Sequence, residues 1–545
     1  MAVENRIVKV QKRNRALARF DESRIHEAIL RAAQSVGGFE HDRLPGINER
    51  IFEACGGTDA QIAQFLADTV VVCLNAQPHH LIANFPPGIE QIQDTVLHAL
   101  RSYGFQNTAD AYACYRWGRH WLREGAITPD KFVGNGLRAA EMERVLAWNR
   151  ERGCDTVAGL NELVRGGRIG PLARESLAAY EDSLDEAAAK VIARLSAGDP
   201  LRMLWVTGPS SSGKTTTTVK LTQRLQKRGL RFLMLNLDDY FWSLVEHPTD
   251  WLNDRNYETP EAMDIQLLNS HLQGLLAGER IEKPVYSFKD GRRVALKPVK
   301  LETDQVLLLD CLHGLYPPIT EGIPPAAQFR LYLETRNALL EGDGSTGRLT
   351  QLADVRLLRR VLRDARHRNH SPLLTILHWH YVRAGELFSI IPLSGLADHV
   401  VNGGFPFDLP LLKPFLCGPE GCLPGPEELR PYASFLDARI RYERVKRLLD
   451  SVHGLTREQA ASFDLVPGDA LVREFIGGGT LPIPHNQQRS LSCARSGTGI
   501  DRVVAQISKS AVSQVSNLRG ASKFRPPADL EIGDPAGLEA CATFR

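Results

Sequence analysis

Residues 5–20 alternate apolar and basic positions (Ile7-Val8-Lys9-Val10-Gln11-Lys12-Arg13), and Asn14-Arg15 stands as a turn before Leu17 to Phe20, which predicts a short β-hairpin. Asp21 is placed to cap the helix that follows, where Ile25, Ala28, Ile29 and Ala32 recur at helical spacing. Helical patterning returns from Asp59 to Asn75. Pro86-Pro87-Gly88 then introduces Ile89, Ile92, Val96, Leu97 and Leu100, and a last helix carries Ala109, Tyr112, Ala113 and Arg116. A hairpin and several helices make a small, mostly helical domain over residues 1–122. Residues 123–199 read as charged helix (Ser183 to Leu195, for example) and are expected to form a connector packed on its neighbours. From Leu201 the pattern changes. Leu204-Trp205-Val206-Thr207, Phe232 to Leu235 and Val306 to Leu309 are short apolar runs suited to buried parallel strands. Helical stretches separate them, so residues 200–425 are expected to fold as an α/β domain with a doubly wound parallel sheet. Beyond Gly479 the periodicity collapses into Ser, Gly, Ala and Pro, and residues 480–545 read as a disordered tail.

Composition narrows the function classes. The chain is 43% hydrophobic and 24% charged, a balance that can build full cores. A net charge of +2 calls for neither nucleic acid nor a membrane surface as partner. No apolar run approaches a membrane span, and the opening MAVENRIVKVQKRNR is too charged for a signal peptide. Nine cysteines lie scattered without a CxxC pair, Cys417 and Cys422 being nearest, as expected of free thiols in a reducing cytoplasm. Nothing in the pattern decides between a monomer and a homo-oligomer.

The chemistry concentrates after the first apolar strand. Gly208-Pro209-Ser210-Ser211-Ser212-Gly213-Lys214-Thr215 fits G-x-x-x-x-G-K-[ST], with a strand leading in and a helix from Thr215 through Leu225 leading out. Glycines let the backbone curl so that successive N–H groups, those of Ser210, Ser211, Ser212 and Thr216 among them, point at phosphate oxygens. The helix N-terminus adds a favourable dipole. Lys214 would reach the β- and γ-phosphates of ATP, and the Thr215 hydroxyl would bind Mg²⁺. The competing reading is a Ser/Gly-rich loop that merely caps a helix, and the flanking strand and helix count against it.

Three further elements cluster around this loop in the pattern. Phe232 to Leu235 runs into Asn236-Leu237-Asp238-Asp239-Tyr240-Phe241, and carboxylates at the C-terminal end of a parallel strand sit at the ligand edge of a sheet. One of them is placed to accept the proton of an attacking hydroxyl, the alternative being an acidic helix cap. Asp310, at the end of Val306 to Leu309, is what a Mg²⁺–water ligand needs. Arg356, Arg359, Arg360, Arg363, Arg366 and Arg368 form the third element. At helical spacing Arg356, Arg360 and Arg363 share a face, and Arg359, Arg363 and Arg366 an adjoining one. One stripe is placed to lie over the phosphates, with Arg360 and Arg368 on the nucleotide and Arg363 on the charge that develops in transfer. The bland alternative is a solvated basic face.

Together these residues resemble the uridine kinase and phosphoribulokinase group of P-loop kinases. Asp238-Asp239-Tyr240-Phe241 is similar to the group's D-S-F-Y segment, whose first aspartate is the general base, so the resemblance makes Asp238 the base and a substrate contact. Asn256-Tyr257-Glu258-Thr259-Pro260-Glu261-Ala262-Met263-Asp264 resembles N-F-D-H-P-D-A-F-D, with Glu258 where the ribose-contacting aspartate stands. Pro284-Val285-Tyr286-Ser287-Phe288 resembles P-V-Y-D-F and brings Tyr286 to the substrate. Arg359-Arg360-Val361-Leu362-Arg363-Asp364 is similar to the lid sequence R-R-V-L-R-D at every position. The group's base-contacting histidine falls at Gly291, and its Walker-type glutamate is Asp310, followed by Cys311. The resemblance spans about 201–410. Trp379 to Glu386, Ala397-Asp398 with Asn402, and Arg473-Glu474-Phe475-Ile476-Gly477-Gly478 resemble a longer branch of bacterial nucleoside kinases, which makes residues 426–479 an appendage of the kinase. The implied activity is transfer of the γ-phosphoryl group of ATP to a hydroxyl of a nucleoside-like substrate.

The N-terminal residues resemble the ATP-cone, a nucleotide-binding regulatory module. The carriers are Val10-Gln11-Lys12-Arg13-Asn14, Phe20-Asp21-Glu22-Ser23-Arg24-Ile25, Ile89-Glu90-Gln91-Ile92-Gln93-Asp94 and Ala109-Asp110-Ala111-Tyr112 to Arg116, with Arg15 where the family's turn has glycine. Lys9, Lys12 and Arg13 are placed to pair with the phosphates of a regulatory nucleotide, ATP or dATP, against the plainer reading of a basic edge strand. Among weaker features, His378-Trp379-His380 is expected to be structural or to stack on substrate rather than to bind metal. Trp242 and Trp251 could cover an acceptor ring, and Arg292-Arg293 is expected to face solvent. Three functions stay open: a nucleoside kinase, a kinase of another small molecule such as a sugar phosphate, and a regulatory NTP-binding protein without a small acceptor.

Overall fold

A computed structural model describes residues 5–77, 85–133, 139–247, 255–287, 290–367 and 370–483. The expected tail and Trp251 lie outside the described residues. The chain divides into two compact units, one comprising the residues up to Arg116 together with Ser434–Ile440, the other comprising Trp117–Ala433 and the residues from Arg441.

In the N-terminal unit, β1 (Lys9–Gln11) and β2 (Leu17–Arg19) pair antiparallel, with Val10 opposite Ala18. The turn closes with Arg15 at φ +65°, a left-handed conformation in which glycine would be free of strain. Helices α1 (Ser23–Gln34), α2 (Glu49–Ala54), α3 (Asp59–Asn75), α4 (Ile89–Ser102) and α5 (Gln106–Arg123) follow. Asp21 accepts the N–H and hydroxyl of Ser23, so it ties the first turn of α1 from one residue outside the N-cap position. Ile25, Ile29, Leu66, Val70, Val96 and Leu100 close one apolar core, the face that the helical spacing marks out.

The larger unit opens with α6 (Ala139–Glu151), α7 (Val157–Arg165) and α8 (Ile169–Ser196), and continues through β3 (Met203–Thr207), α9 (Lys214–Gln226) and β4 (Arg231–Asn236). Then come α10 (Ile265–Leu276), β5 (Arg280–Ser287), β6 (Arg292–Lys300), β7 (Gln305–Cys311) and β8 (Gln328–Glu334). Next are α11 (Leu352–His367), α12 (Pro372–Gly385), β9 (His399–Asn402) and α13 (Asp408–Leu416). Short α14 (Pro426–Leu429), α15 (Leu436–Ser451), α16 (Arg457–Ala461) and α17 (Arg473–Ile476) end the described chain. Five parallel strands form one sheet in the order β4-β7-β3-β8-β9. β3 is buried along its whole length (Met-Leu-Trp-Val-Thr), which is why it reads as an unbroken apolar run. β5 and β6 form a separate antiparallel ribbon.

Within residues 123–199, the long helix α8 packs on its neighbours in the larger unit. Helix α8 packs along α9: the Tyr180 hydroxyl meets Thr217 Oγ1 at 2.7 Å, Glu181 pairs with Lys220 and Arg224, and Asp185 pairs with Arg224. Arg194 at its far end donates to the carbonyls of Ala326 and Gln328 at the start of β8. The helix that carries the glycine-rich loop is thus braced from behind.

Candidate active site

The glycine-rich loop leaves the central strand β3 and enters α9. Gly208 has φ +149°, and a Cβ there would lie 2.0 Å from the Leu333 carbonyl oxygen, so strand β8 leaves room for glycine alone. Ser211 is held at φ +59°, a strained conformation for a residue with a side chain. The Ser211 and Ser212 hydroxyls are buried with no hydrogen-bond partner. A strained backbone and buried hydroxyls without a protein partner fit a loop built to receive a phosphate. Lys214 donates through Nζ to the Pro209 carbonyl at 2.9 Å. Desolvation lowers the Lys214 pKa, and the nearby Asp310 carboxylate works in the opposite direction.

The register of the sheet sets the carboxylates. β4 and β7 pair so that Asn236 lies opposite Asp310, and Thr207 at the end of β3 lies opposite Cys311. Asp310 therefore reaches the rim beside the loop. Burial pushes its carboxyl up to about 6, against the pull of Lys214 and with a smaller push from Asp238. Asp238 and Asp239 have different surroundings. Asp239 pairs with Lys283 and accepts the Tyr286 N–H at 3.1 Å, so it holds the β5–β6 ribbon. Asp238 is exposed at the mouth of the cleft. Beside it Phe241, His247, Tyr257 and Tyr286 form an aromatic wall, with ring centroids 4.3 to 6.4 Å apart.

Helix α11 is buried rather than a solvated basic face: Arg356, Arg359 and Arg363 are each less than one-tenth exposed. Arg356 donates to the Ser210 carbonyl at 3.2 Å and pairs with Glu386. Arg360 donates to Ser210 Oγ at 3.0 Å and pairs with Glu258 at 2.7 Å. Arg363 contacts Asp364 and lies close enough to Lys214 to lower its pKa. Arg359 turns the other way and makes a fully buried pair with Asp408. The stripe over the loop is thus Arg356, Arg360 and Arg363, and Arg359 belongs to the core. Arg368 lies outside the described residues.

One further expectation is corrected. Arg293 does not face solvent: it donates to the Tyr240 and Phe241 carbonyls and to Asp264, and ties the turn that carries Asp238 to the ribbon. The Arg293 guanidinium also lies over Trp242, 5.4 Å from the ring centroid. Trp379 is buried in α12 beneath Arg356, a packing role. Gly291 has φ +63°, and a Cβ there would lie 2.1 Å from Leu244 Cδ1, so the space next to a histidine at this position is filled by leucine. Three residues were missed from the sequence: Lys283, His313 and Glu474. His313 Nδ1 meets Ser389 Oγ at 3.0 Å, and burial pushes its pKa down to about 4, which keeps the ring neutral. Lysine among alternating strand residues, or histidine in a turn, carries no pattern that sets it apart.

Comparison with known proteins now bears on this geometry. Residues 203–340 match the phosphoribulokinase / uridine kinase family model. The chain is 30% identical over 210 residues to the uridine kinase of Brevibacillus brevis, covering 38% of this chain and 87% of that protein. The chain belongs to the phosphoribulokinase/uridine kinase family. It is also similar to the uridine kinase of Deinococcus deserti, at 29% identity over 37% of this chain and 87% of that protein. To that of Bacillus pumilus it is 30% identical, over 31% of this chain and 70% of the other. Residues 8–120 match the ATP cone domain. A family kinase of this kind is a phosphotransferase that acts on a hydroxyl group, and the family implies ATP as co-substrate. Among the described residues no helix is long and apolar enough to cross a membrane.

The residues present fit Mg²⁺. Among the described residues no cluster of three or more His, Cys, Asp or Glu forms a ready-made cage. A magnesium ion bound mainly through substrate phosphates needs none, and takes one or two protein oxygens instead. Thr215 at the start of α9 and Asp310 near the end of β7 are the two oxygens that would hold it.

In the N-terminal unit Arg13 donates to Glu90 at 2.6 Å and to Gln93 at 3.2 Å. Arg116 pairs with the same Glu90 and with Asp94. Lys9 and Lys12 stand exposed on the hairpin.

Proposed function

We propose that this chain is an ATP- and Mg²⁺-dependent kinase that transfers the γ-phosphoryl group to the 5′-hydroxyl of a nucleoside, and that its N-terminal unit senses a nucleotide. The observation that supports it most is the division of labour between the two adjacent aspartates. Asp239 is committed to Lys283 and the Tyr286 backbone, whereas Asp238 is exposed beside the cleft that holds Lys214 and Asp310. An ATPase has no use for a carboxylate poised to deprotonate an organic hydroxyl.

In this reading Asp238 accepts the acceptor's proton as its oxygen approaches the γ-phosphorus. Lys214, Arg360 and Arg363 hold the charge spread over the phosphoryl oxygens, and the N–H groups of residues 210–216 cradle the chain behind it. Thr215 and Asp310 would hold Mg²⁺, which neutralises the β- and γ-phosphate oxygens when bound. Glu258 and Tyr286 face the sugar side of the acceptor, Glu258 being fixed by Arg360. Leu244 against Gly291 replaces a polar contact to the base with an apolar one, so the base is held by the aromatic wall. Lys9, Lys12 and Arg13 receive the phosphates of the regulatory nucleotide, for which Arg13 exchanges Glu90 for the anion.

The test is a panel of pyrimidine and purine nucleosides and of sugar phosphates, incubated with ATP and Mg²⁺ and followed by product mass. A nucleoside 5′-monophosphate is the expected product. Turnover of sugar phosphates alone would transfer the reading to that class of acceptor, and no phosphorylated product from any of them would overturn it.

A further inference from the structure

The loop between α16 and the end of the described chain returns to the phosphate cradle. Glu474, on the short helix α17, is 2% exposed. Its Oε2 accepts the Thr216 hydroxyl at 2.8 Å and the Thr216 backbone N–H at 3.3 Å. Leu471 packs on the other side of the same turn, so close that a Cβ on Gly213 would lie 2.6 Å from its side-chain carbons. The segment is anchored from several sides. Arg473 donates to the carbonyls of Ala461, Ser462 and Val466, Asp469 pairs with Lys220 at 2.8 Å, Arg366 donates to the Ile476 carbonyl, and Phe475 lies under Arg359.

The donors that Glu474 occupies are not ordinary ones. The first N–H groups of an α-helix have no partner within the helix, and in a glycine-rich loop of this type they serve the phosphates of the nucleotide. Thr216 is the third residue of α9. Its N–H and hydroxyl are spent on an internal carboxylate, an anion of the chain's own. Two anions do not share one pair of donors in a desolvated cleft, because their repulsion there is weakly screened. Glu474 also adds its negative charge to that of Asp310 beside Lys214.

We propose that Glu474 is an intramolecular competitor for the phosphate chain of the donor nucleotide, and that the segment from Asp469 to Gly478 must withdraw from Thr216 for the donor to bind. This rests on the reading of the loop as the donor site. Glu474 thereby sets the affinity for ATP without taking part in the transfer, and any partner or ligand that holds the segment away raises activity at low ATP.

Steady-state kinetics of the full chain at saturating acceptor test it. Glu474→Gln keeps the shape and removes the charge. The apparent KM for ATP should fall about tenfold, the order expected for loss of a competing charge-assisted contact, with kcat retained. An unchanged or higher KM, or a fall in kcat alone, would assign Glu474 to positioning the loop and overturn the proposal. Hydrogen exchange of the unaltered chain gives a check that needs no variant. Amides 469–478 should exchange faster when a non-hydrolysable ATP analogue is added, and slower exchange there would contradict withdrawal. If the analogue changes no exchange at residues 208–216, the donor-site reading itself has failed, which is a different result from protection at the loop with an undisturbed Glu474 segment.

Discussion

Arg359 and Asp408 are the most completely buried ion pair of the kinase unit's described residues, both with no exposed side-chain surface. One guanidinium nitrogen of Arg359 donates to both carboxylate oxygens at 2.8 Å and to the Gly403 carbonyl at 2.9 Å. Arg359→Met fills much of the same volume and removes the charge. Asp408 would be left with the Phe405 N–H at 2.8 Å and the Asn337 amide at 3.4 Å, two neutral donors for a buried carboxylate. Removing one partner of such a pair costs about 3–5 kcal/mol. Burial already raises the Asp408 pKa, with Arg359 the main influence that lowers it, so the variant raises it further. A carboxyl whose pKa is higher in the folded than in the unfolded state favours folding when protonated. The penalty is therefore full at neutral pH and shrinks as the pH falls through the folded-state value. Urea unfolding followed by tryptophan fluorescence reads this, because Trp205 and Trp379 are buried in this unit. A second transition would mark separate unfolding of the N-terminal unit, and the kinase-unit transition is then fitted alone. Arg359→Met with Asp408→Leu should recover most of the loss. A cost below about 1 kcal/mol, the range of surface pairs, or one independent of pH, would refute the reasoning.

Asp238→Asn should lower kcat by about 10²–10⁴ with ATP affinity retained, as for loss of a general base. Asp239→Asn should act instead on stability and acceptor KM, since it loosens Lys283 and the Tyr286 backbone; the reverse pattern in steady-state kinetics would exchange their roles. Lys12→Ala with Arg13→Ala should reduce two calorimetric ATP-binding events to one, and a single event in the unaltered chain would make the N-terminal unit structural.

The parallel strands and the glycine-rich loop were legible because buried strands show as unbroken apolar runs and phosphate cradles need glycine at set spacing. The strand-end positions of Asp238 and Asp310 were legible because Asp310 closes the apolar run Val306–Leu309 and Asp238 stands two residues beyond β4. The arginine helix was legible only in part. Helical spacing puts Arg359 on a face with Arg363 and Arg366, but nothing local tells that Asp408, 49 residues on, claims Arg359. Glu474 was invisible for a similar reason, as its partner Thr216 is 258 residues away. Spacing reveals which residues share a face, and long-range pairing decides which of them reach the site. The charged helical pattern of residues 139–196 predicted packing on a neighbour, but nothing local told that Glu181 and Asp185 would brace α9 through Lys220 and Arg224.

The central claim is that the P-loop serves transfer to a small hydroxyl acceptor rather than hydrolysis. The stoichiometry of ADP formed to acceptor phosphorylated, measured together in one reaction for the unaltered chain and for Lys214→Ala, tests it most directly. One ADP is expected for each nucleoside monophosphate, with ADP formation that stops when the acceptor is exhausted and neither product from the variant while it remains folded. ADP released at an undiminished rate without any acceptor would contradict it.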